Sequence, residues 1–97
     1  MENKDLTVDL VEKWGEEVQM EMIIEKCLEL SLSIQRYKRT EVKEDYLEYS
    51  KMYNIVCEKI ADMKLMIEQA EFLFNANEIK KHYENKLENL KKSLNDY

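Results

Sequence analysis

The sequence predicts an all-α fold, an antiparallel bundle of about four helices forming one domain over residues 1–97. Three observations carry that expectation. The chain has no proline and a single glycine, Gly15, whereas a strand-rich fold needs turn residues every few positions. Apolar side chains recur at three- and four-residue steps in four separate stretches. Hydrophobic residues make up 44% and charged residues 37% of the chain, enough apolar material for a folded domain rather than a disordered one. A chain of 97 residues builds only a modest core, so a homo-oligomer, dimer or tetramer, is expected to complete it.

Residues 1–5 are polar and read as frayed. A short helix is expected over 7–14, with Leu6, Leu10 and Trp14 on one side, and Gly15 ends or bends it. A long helix over 16–37 follows, its stripe formed by Met20, Ile23, Ile24, Cys27, Leu30 or Ser31, and Ile34. Arg36, Lys38 and Arg39 close it with positive charge, which suits the helix dipole. Residues 40–50 are polar and read as a loop leading into a helix. The third helix is expected over 52–74, with Val56, Ile60, Met63, Ile67, Ala70 and Phe74 as its stripe. Asn75 and Asn77 break the pattern. The fourth helix is expected over 78–94, with Ile79, Tyr83, Leu87, Leu90 and Leu94 inward and charges of alternating sign on its solvated face. Short connections imply antiparallel neighbours.

Several function classes recede on composition. The formal net charge of −6 disfavours nucleic acid as a partner, because such binding needs a basic surface. No apolar run approaches the ~20 residues of a membrane span, and Met1-Glu2-Asn3-Lys4-Asp5 is too polar for a signal peptide. Cys27 and Cys57 lack metal-motif spacing and read as reduced, half-buried thiols of a cytoplasmic protein. No Ser-His-Asp arrangement, phosphate-binding glycine loop or zinc spacing is present.

One pattern exceeds ordinary amphipathicity. The second helix carries Glu25-Lys26-Cys27-Leu28-Glu29 and the third Glu58-Lys59-Ile60-Ala61-Asp62: acid, lysine, two non-polar residues, acid. Residues three or four apart share a helix face, so two such faces on packed helices bring four charged groups together. The plainer alternative is a set of surface ion pairs beside the core, worth ~0.2–0.5 kcal/mol each.

These motifs also carry a resemblance. Lys13-Trp14-Gly15-Glu16-Glu17-Val18-Gln19-Met20 through Glu25-Lys26-Cys27-Leu28-Glu29-Leu30, then Tyr37-Lys38-Arg39, resembles the MazG-like nucleotide pyrophosphohydrolases, in particular the short forms of phages and Gram-positive bacteria. Cys57 to Met63 resembles the family's acidic-acidic-x-alanine-aspartate segment, and Met66 to Phe74 the helix continuing from it. Lys86-Leu87-Glu88-Asn89-Leu90 resembles the closing segment, in which arginine is expected at Asn89. The likeness spans most of residues 10–94. It implies an all-α fold and hydrolysis of a nucleoside triphosphate to monophosphate and pyrophosphate, with magnesium held by carboxylates on two facing helices. Magnesium is a hard ion that takes oxygen ligands and neutralises phosphate charge.

The sequence departs from that pattern at the ligand positions, which fall on Lys26, Glu29, Lys59 and Asp62. An ammonium cannot ligate magnesium and repels it. Three outcomes stay open. Glu25, Glu29, Glu58 and Asp62 can form a shifted metal site, which keeps an active magnesium-dependent pyrophosphohydrolase as one alternative. Lys26 can pair with Asp62 and Lys59 with Glu29, closing the pocket as a structural cluster and leaving a non-catalytic interaction module. Or the lysines can contact phosphate directly, with Gln19 facing the same pocket. The last gives the leading expectation: a MazG-like protein that binds or sequesters a nucleotide with weak or no hydrolysis, needing no cofactor, in the bacterial host cytoplasm if phage-encoded. His82 is expected on the surface. Trp14 reads as a core or interface anchor, or else as a base-stacking residue.

Overall fold

The computed structural model of the chain describes residues 4–40 and 46–95. The described residues form four α-helices and no strand: α1 (Lys4–Trp14), α2 (Glu16–Arg39), α3 (Tyr46–Leu73) and α4 (Ala76–Asn95). None is long and apolar enough to cross a membrane. Two boundaries differ from the sequence reading. α1 begins at Lys4 and carries Asp5 in its first turn, where an acid offsets the positive end of the helix dipole. α3 begins at Tyr46, so the second half of the polar 40–50 stretch is helical; residues 41–45 lie outside the described ones.

Gly15 separates α1 from α2 at φ 86°, ψ 160°, a backbone region that side chains disfavour and glycine enters freely. Its amide donates to the Val11 carbonyl at 2.7 Å, and its own carbonyl accepts from the Gln19 amide at 3.2 Å. One residue thus closes α1 and opens α2. The bend lets α1 fold onto both α2 and α3, burying Thr7. Leu6 and Trp14 remain exposed, while Leu10 is partly covered, so of the three expected residues only Leu10 shares the inward face of Thr7.

α2 and α3 form an antiparallel hairpin, the most extensive contact of the fold. Its register is fixed by Lys26 facing Asp62 and Glu29 facing Lys59. Near the other end, the Tyr37 and Tyr49 hydroxyls share a hydrogen bond of 2.7 Å. Tyr53 packs edge-on to Tyr37 with ring centroids 6.0 Å apart. Thr40 stops α2 in extended geometry, its amide donating to the Tyr37 carbonyl and its hydroxyl to that of Arg36.

The faces that meet in this hairpin take in only part of the stripes the periodicity selects: Ile23 and Leu30 on α2, and Val56, Met63 and Ala70 on α3, are partly covered. On α2 the seam residues are Gln19, Ile23, Lys26, Glu29, Leu30, Ser33 and Tyr37, while Met20, Ile24, Cys27 and Ile34 are exposed. On α3, Ile55, Val56, Lys59, Asp62, Met63, Met66 and Gln69 turn inward, and Ile60, Ile67 and Phe74 are exposed. Met66, at 7% exposure, is the only buried hydrophobic side chain among the described residues. Cys27 and Cys57 are free and exposed rather than half-buried, because each lies on the outer side of its helix.

α4 is capped by Asn75, whose Oδ1 accepts from the amides of Asn77 and Glu78 at 3.0 and 3.1 Å. It touches only α3. Ile79 is partly covered, but Tyr83, Leu87, Leu90 and Leu94 are exposed, so most of the stripe expected to face inward finds no partner among the described residues. Beyond the Asn75 cap, α4 leaves the hairpin. The radius of gyration, 17.3 Å, accordingly exceeds the ~12.5 Å of a compact chain of this length.

Candidate functional site

The duplicated motif lies in the middle of the hairpin seam. Lys26 is one heptad after Gln19 and one before Ser33, and all three share the inward side of α2. Lys59 and Asp62 sit correspondingly on α3, between Ile55 and Met66. Helical spacing alone therefore brings two ammonium and two carboxylate groups to one level.

They form a closed ring of ion pairs. Lys26 Nζ is 3.2 Å from Glu29 Oε2 on its own helix and 3.8 Å from Asp62 Oδ2 across the seam. Lys59 Nζ is 3.6 Å from Glu29 Oε1 and 4.0 Å from Asp62 Oδ2. The four side chains are between 21% and 33% exposed, so water reaches the ring and screens it in part. Formal charge within the ring sums to zero. A hydrogen bond and Coulomb attraction from Lys26, with Lys59 adding to them, hold the Glu29 carboxyl below its usual range against partial desolvation. The hydrogen bond and charge of Glu29 raise the Lys26 ammonium in turn, with Asp62 and Glu25 contributing.

The outer acids stand apart from the ring. Glu25 is exposed, and the Glu58 side chain is 69% exposed, reaching only its neighbour Lys59 at 4.0 Å. Among the described residues no three His, Cys, Asp or Glu side chains are grouped to hold a metal ion. The donor chemistry agrees, since the lysine nitrogens lie against Glu29 and Asp62 and repel a cation there. As they stand, these residues do not fit a magnesium site.

Gln19 is fully buried, one heptad before Lys26, and both its amide Oε1 and Nε2 lack a hydrogen-bond partner. Gln69, one heptad after Asp62, likewise leaves its Oε1 unpartnered. These glutamines extend the polar seam on the side away from the cavity described next, and Gln19 does not line that cavity.

On the other side of the ring the seam opens into a cavity of about 260 Å³, lined by Glu29, Leu32, Ser33, Arg36, Met52, Ile55 and Lys59. Lys59 belongs to both ring and cavity. Ser33 turns its hydroxyl to the Leu30 carbonyl at 2.8 Å. Leu32, Met52 and Ile55 make an apolar wall, and Arg36 adds a second cation. Sequence reasoning read Arg36 as a helix-end charge with phosphate contact as the alternative, and passed over Ser33, Met52 and Ile55. The signal was available in the three- and four-residue steps from Lys26 through Glu29 and Ser33 to Arg36, which continue the inward face. His82 is exposed, as expected. Trp14 lies under the Lys13 ammonium, 5.3 Å from its ring centroid, far along the chain from the ring.

Comparison with known proteins finds no match: no protein-family model, no curated protein and no solved structure is significantly similar to the chain.

Proposed function

We propose that this chain binds a phosphate-bearing small molecule of the nucleotide class at the α2–α3 seam, without metal-dependent hydrolysis. The observation that carries the reading is the cavity beside the ring, where Lys59 and Arg36 bring two cations to one opening. Lys26 and Lys59 meet Glu29 and Asp62 at the positions where the resembled pyrophosphohydrolases have four carboxylates. A phosphate entering the cavity competes with Glu29 for Lys59 as a point charge, while the planar Arg36 guanidinium offers two donors to its oxygens. Leu32, Met52 and Ile55 supply the apolar surface that small-ligand sites use beside a few polar groups. Positive charge comes from lysine and arginine, so binding needs no divalent ion.

Calorimetric titration with a panel of nucleotides, with and without magnesium, tests this, followed by chromatography of the same mixtures. The expected result is binding of at least one nucleotide whose affinity does not depend on magnesium, weakened on the order of tenfold by Arg36→Ala, with the nucleotide recovered intact. Magnesium-dependent appearance of monophosphate and pyrophosphate would instead establish the hydrolase. Absence of any binding at millimolar nucleotide would leave a second reading, a non-catalytic interaction module. That reading draws on the pairing of Lys26 with Asp62 and Lys59 with Glu29, the arrangement expected of a structural cluster, and on the large apolar side chains left exposed on α2, α3 and α4.

A further inference from the structure

We infer that α4 pairs with α4 of a second copy of this chain, antiparallel, about a two-fold axis between Leu87 and Leu90. From Lys80 to Asn95 every residue of α4 is exposed. Tyr83, Leu87, Leu90 and Leu94 are 66%, 40%, 68% and 78% exposed. They follow one another at steps of four, three and four, the spacing of a coiled-coil seam, while His82, Asn85, Glu88, Asn89 and Lys92 give the opposite side its polarity. Such a stripe on a helix that touches the rest of its chain only near its start is unpartnered in the single copy.

The flanking charges choose the partner and its direction. In an antiparallel pair Leu87 packs on the second copy's Leu90 and Tyr83 on its Leu94. That register sets Glu84 beside the second copy's Lys91, and by symmetry the same pair forms again. Lys86 meets the second copy's Ser93, which is neutral. In a parallel pair Lys86 lies beside the second copy's Lys91 on both sides and Lys80 stacks on Lys80, so like charges meet throughout. Attraction in one orientation and repulsion in the other single out the antiparallel copy.

The exposed area agrees with a chain that is half of something. The chain exposes 8146 Å², whereas a compact monomer of its mass exposes about 5,900 Å². The excess, about 2,200 Å² per copy, is in the range that obligate homodimers cover. The α4 seam is the part of that excess whose rim charges specify an occupant.

Sedimentation velocity of the full chain at about 10–100 µM tests the pairing. The wild type should sediment as a dimer or larger, and a monomer throughout that range overturns the inference. Leu87→Glu with Leu90→Glu should halve the mass or raise the dissociation constant by at least ~100-fold, with helicity retained because both sites are exposed. An unchanged assembly overturns it. Lys91→Glu separates the two orientations and leaves the apolar seam intact. It sets Glu84 against a glutamate in the antiparallel pair and should weaken association on the order of tenfold, with Glu84→Lys restoring it in the double variant. Tighter association of Lys91→Glu, the result a parallel pair gives, overturns the inference. The outcome is independent of nucleotide binding at the seam of α2 and α3.

Discussion

Replacing both ring lysines by glutamate, Lys26→Glu with Lys59→Glu, changes the ring's formal charge from zero to −4. At present each lysine nitrogen lies within 4.0 Å of both Glu29 and Asp62. A glutamate side chain stops roughly 1.5 Å short of a lysine nitrogen, so four carboxylates would surround the space the two ammonium groups now fill. Magnesium, with oxygen ligands at ~2.0–2.1 Å, suits such a space. Without metal the variant should melt below the wild type, because four like charges then share one seam. If it binds magnesium with a dissociation constant near ~0.1 mM, then ~10 mM magnesium returns ~2.7 kcal/mol of stability. For a domain of this size that is roughly a 10–20 °C rise in melting temperature. Thermal melts followed by circular dichroism, with magnesium titrated from zero to ~10 mM, read both effects. The wild type should not respond. An equal magnesium shift in the wild type, or a double variant that magnesium leaves untouched, would refute the view that the lysines stand in for a cation.

Three further outcomes follow from the geometry. Gly15→Ala should cost ~1–3 kcal/mol by urea denaturation, and because no atom lies within 4 Å of the added Cβ, the cost is that of backbone strain at φ 86°; a neutral variant would argue against this bend. Asn75→Ala removes the cap of α4 and should destabilise that helix by ~1 kcal/mol, read as faster amide exchange at the start of α4 while α2 and α3 keep their protection. The ring also sets a pH window. Glu29 is held below its usual 4.5, so its contribution is full above that value and lost as pH falls through the lower folded value. Lys26 is raised above its usual 10.5, so its contribution is full below 10.5 and lost as pH rises through the higher folded value. Lys26→Met should therefore lower the urea midpoint at pH 7, and its difference from the wild type should shrink below pH 4.5 and above pH 10.5.

The helices were legible because their signals are local. Gly15 is the only glycine and sits at the one positive φ among the described residues. Asn75 interrupts the periodicity and caps the next helix. The start of α3 was less legible, since Tyr46 to Lys51 is polar and aromatic, and what holds it is non-local: the Tyr37–Tyr49 hydrogen bond joins residues twelve apart in sequence. The ring was legible for a related reason. Acid and lysine at matched spacing on two helices can only converge or miss, and the hairpin register makes Lys26 meet Asp62 and Lys59 meet Glu29. The cavity beside it was not legible, because its wall combines Leu32 from one helix with Met52 and Ile55 from the other, and no single stretch displays that set.

The apolar stripes raise a different difficulty. Periodicity states that a helix face avoids water; it does not state against which chain the face packs. Reading one sequence, Met20, Ile24 and Ile34 on α2, Ile60 and Ile67 on α3, and the whole α4 stripe are assigned to the molecule's own interior. Within one copy the interior seam holds Gln19, Lys26, Glu29, Lys59, Asp62 and Gln69 among Ile23, Leu30, Val56, Met63 and Met66, and the rest of the stripes lies outside. A hairpin joined by ion pairs that are still 21–33% exposed gains little net stability from them, and Met66 alone is buried as an apolar side chain among the described residues. A chain with that distribution has only a thin apolar core to set against its conformational entropy. It follows from the proposed α4 pairing that folding and association are coupled. The melting temperature of the wild type should then rise with protein concentration, while that of Leu87→Glu with Leu90→Glu should be lower and respond less. Superimposable melts of the wild type over a hundredfold dilution would place the missing core within the single chain and sink the coupling.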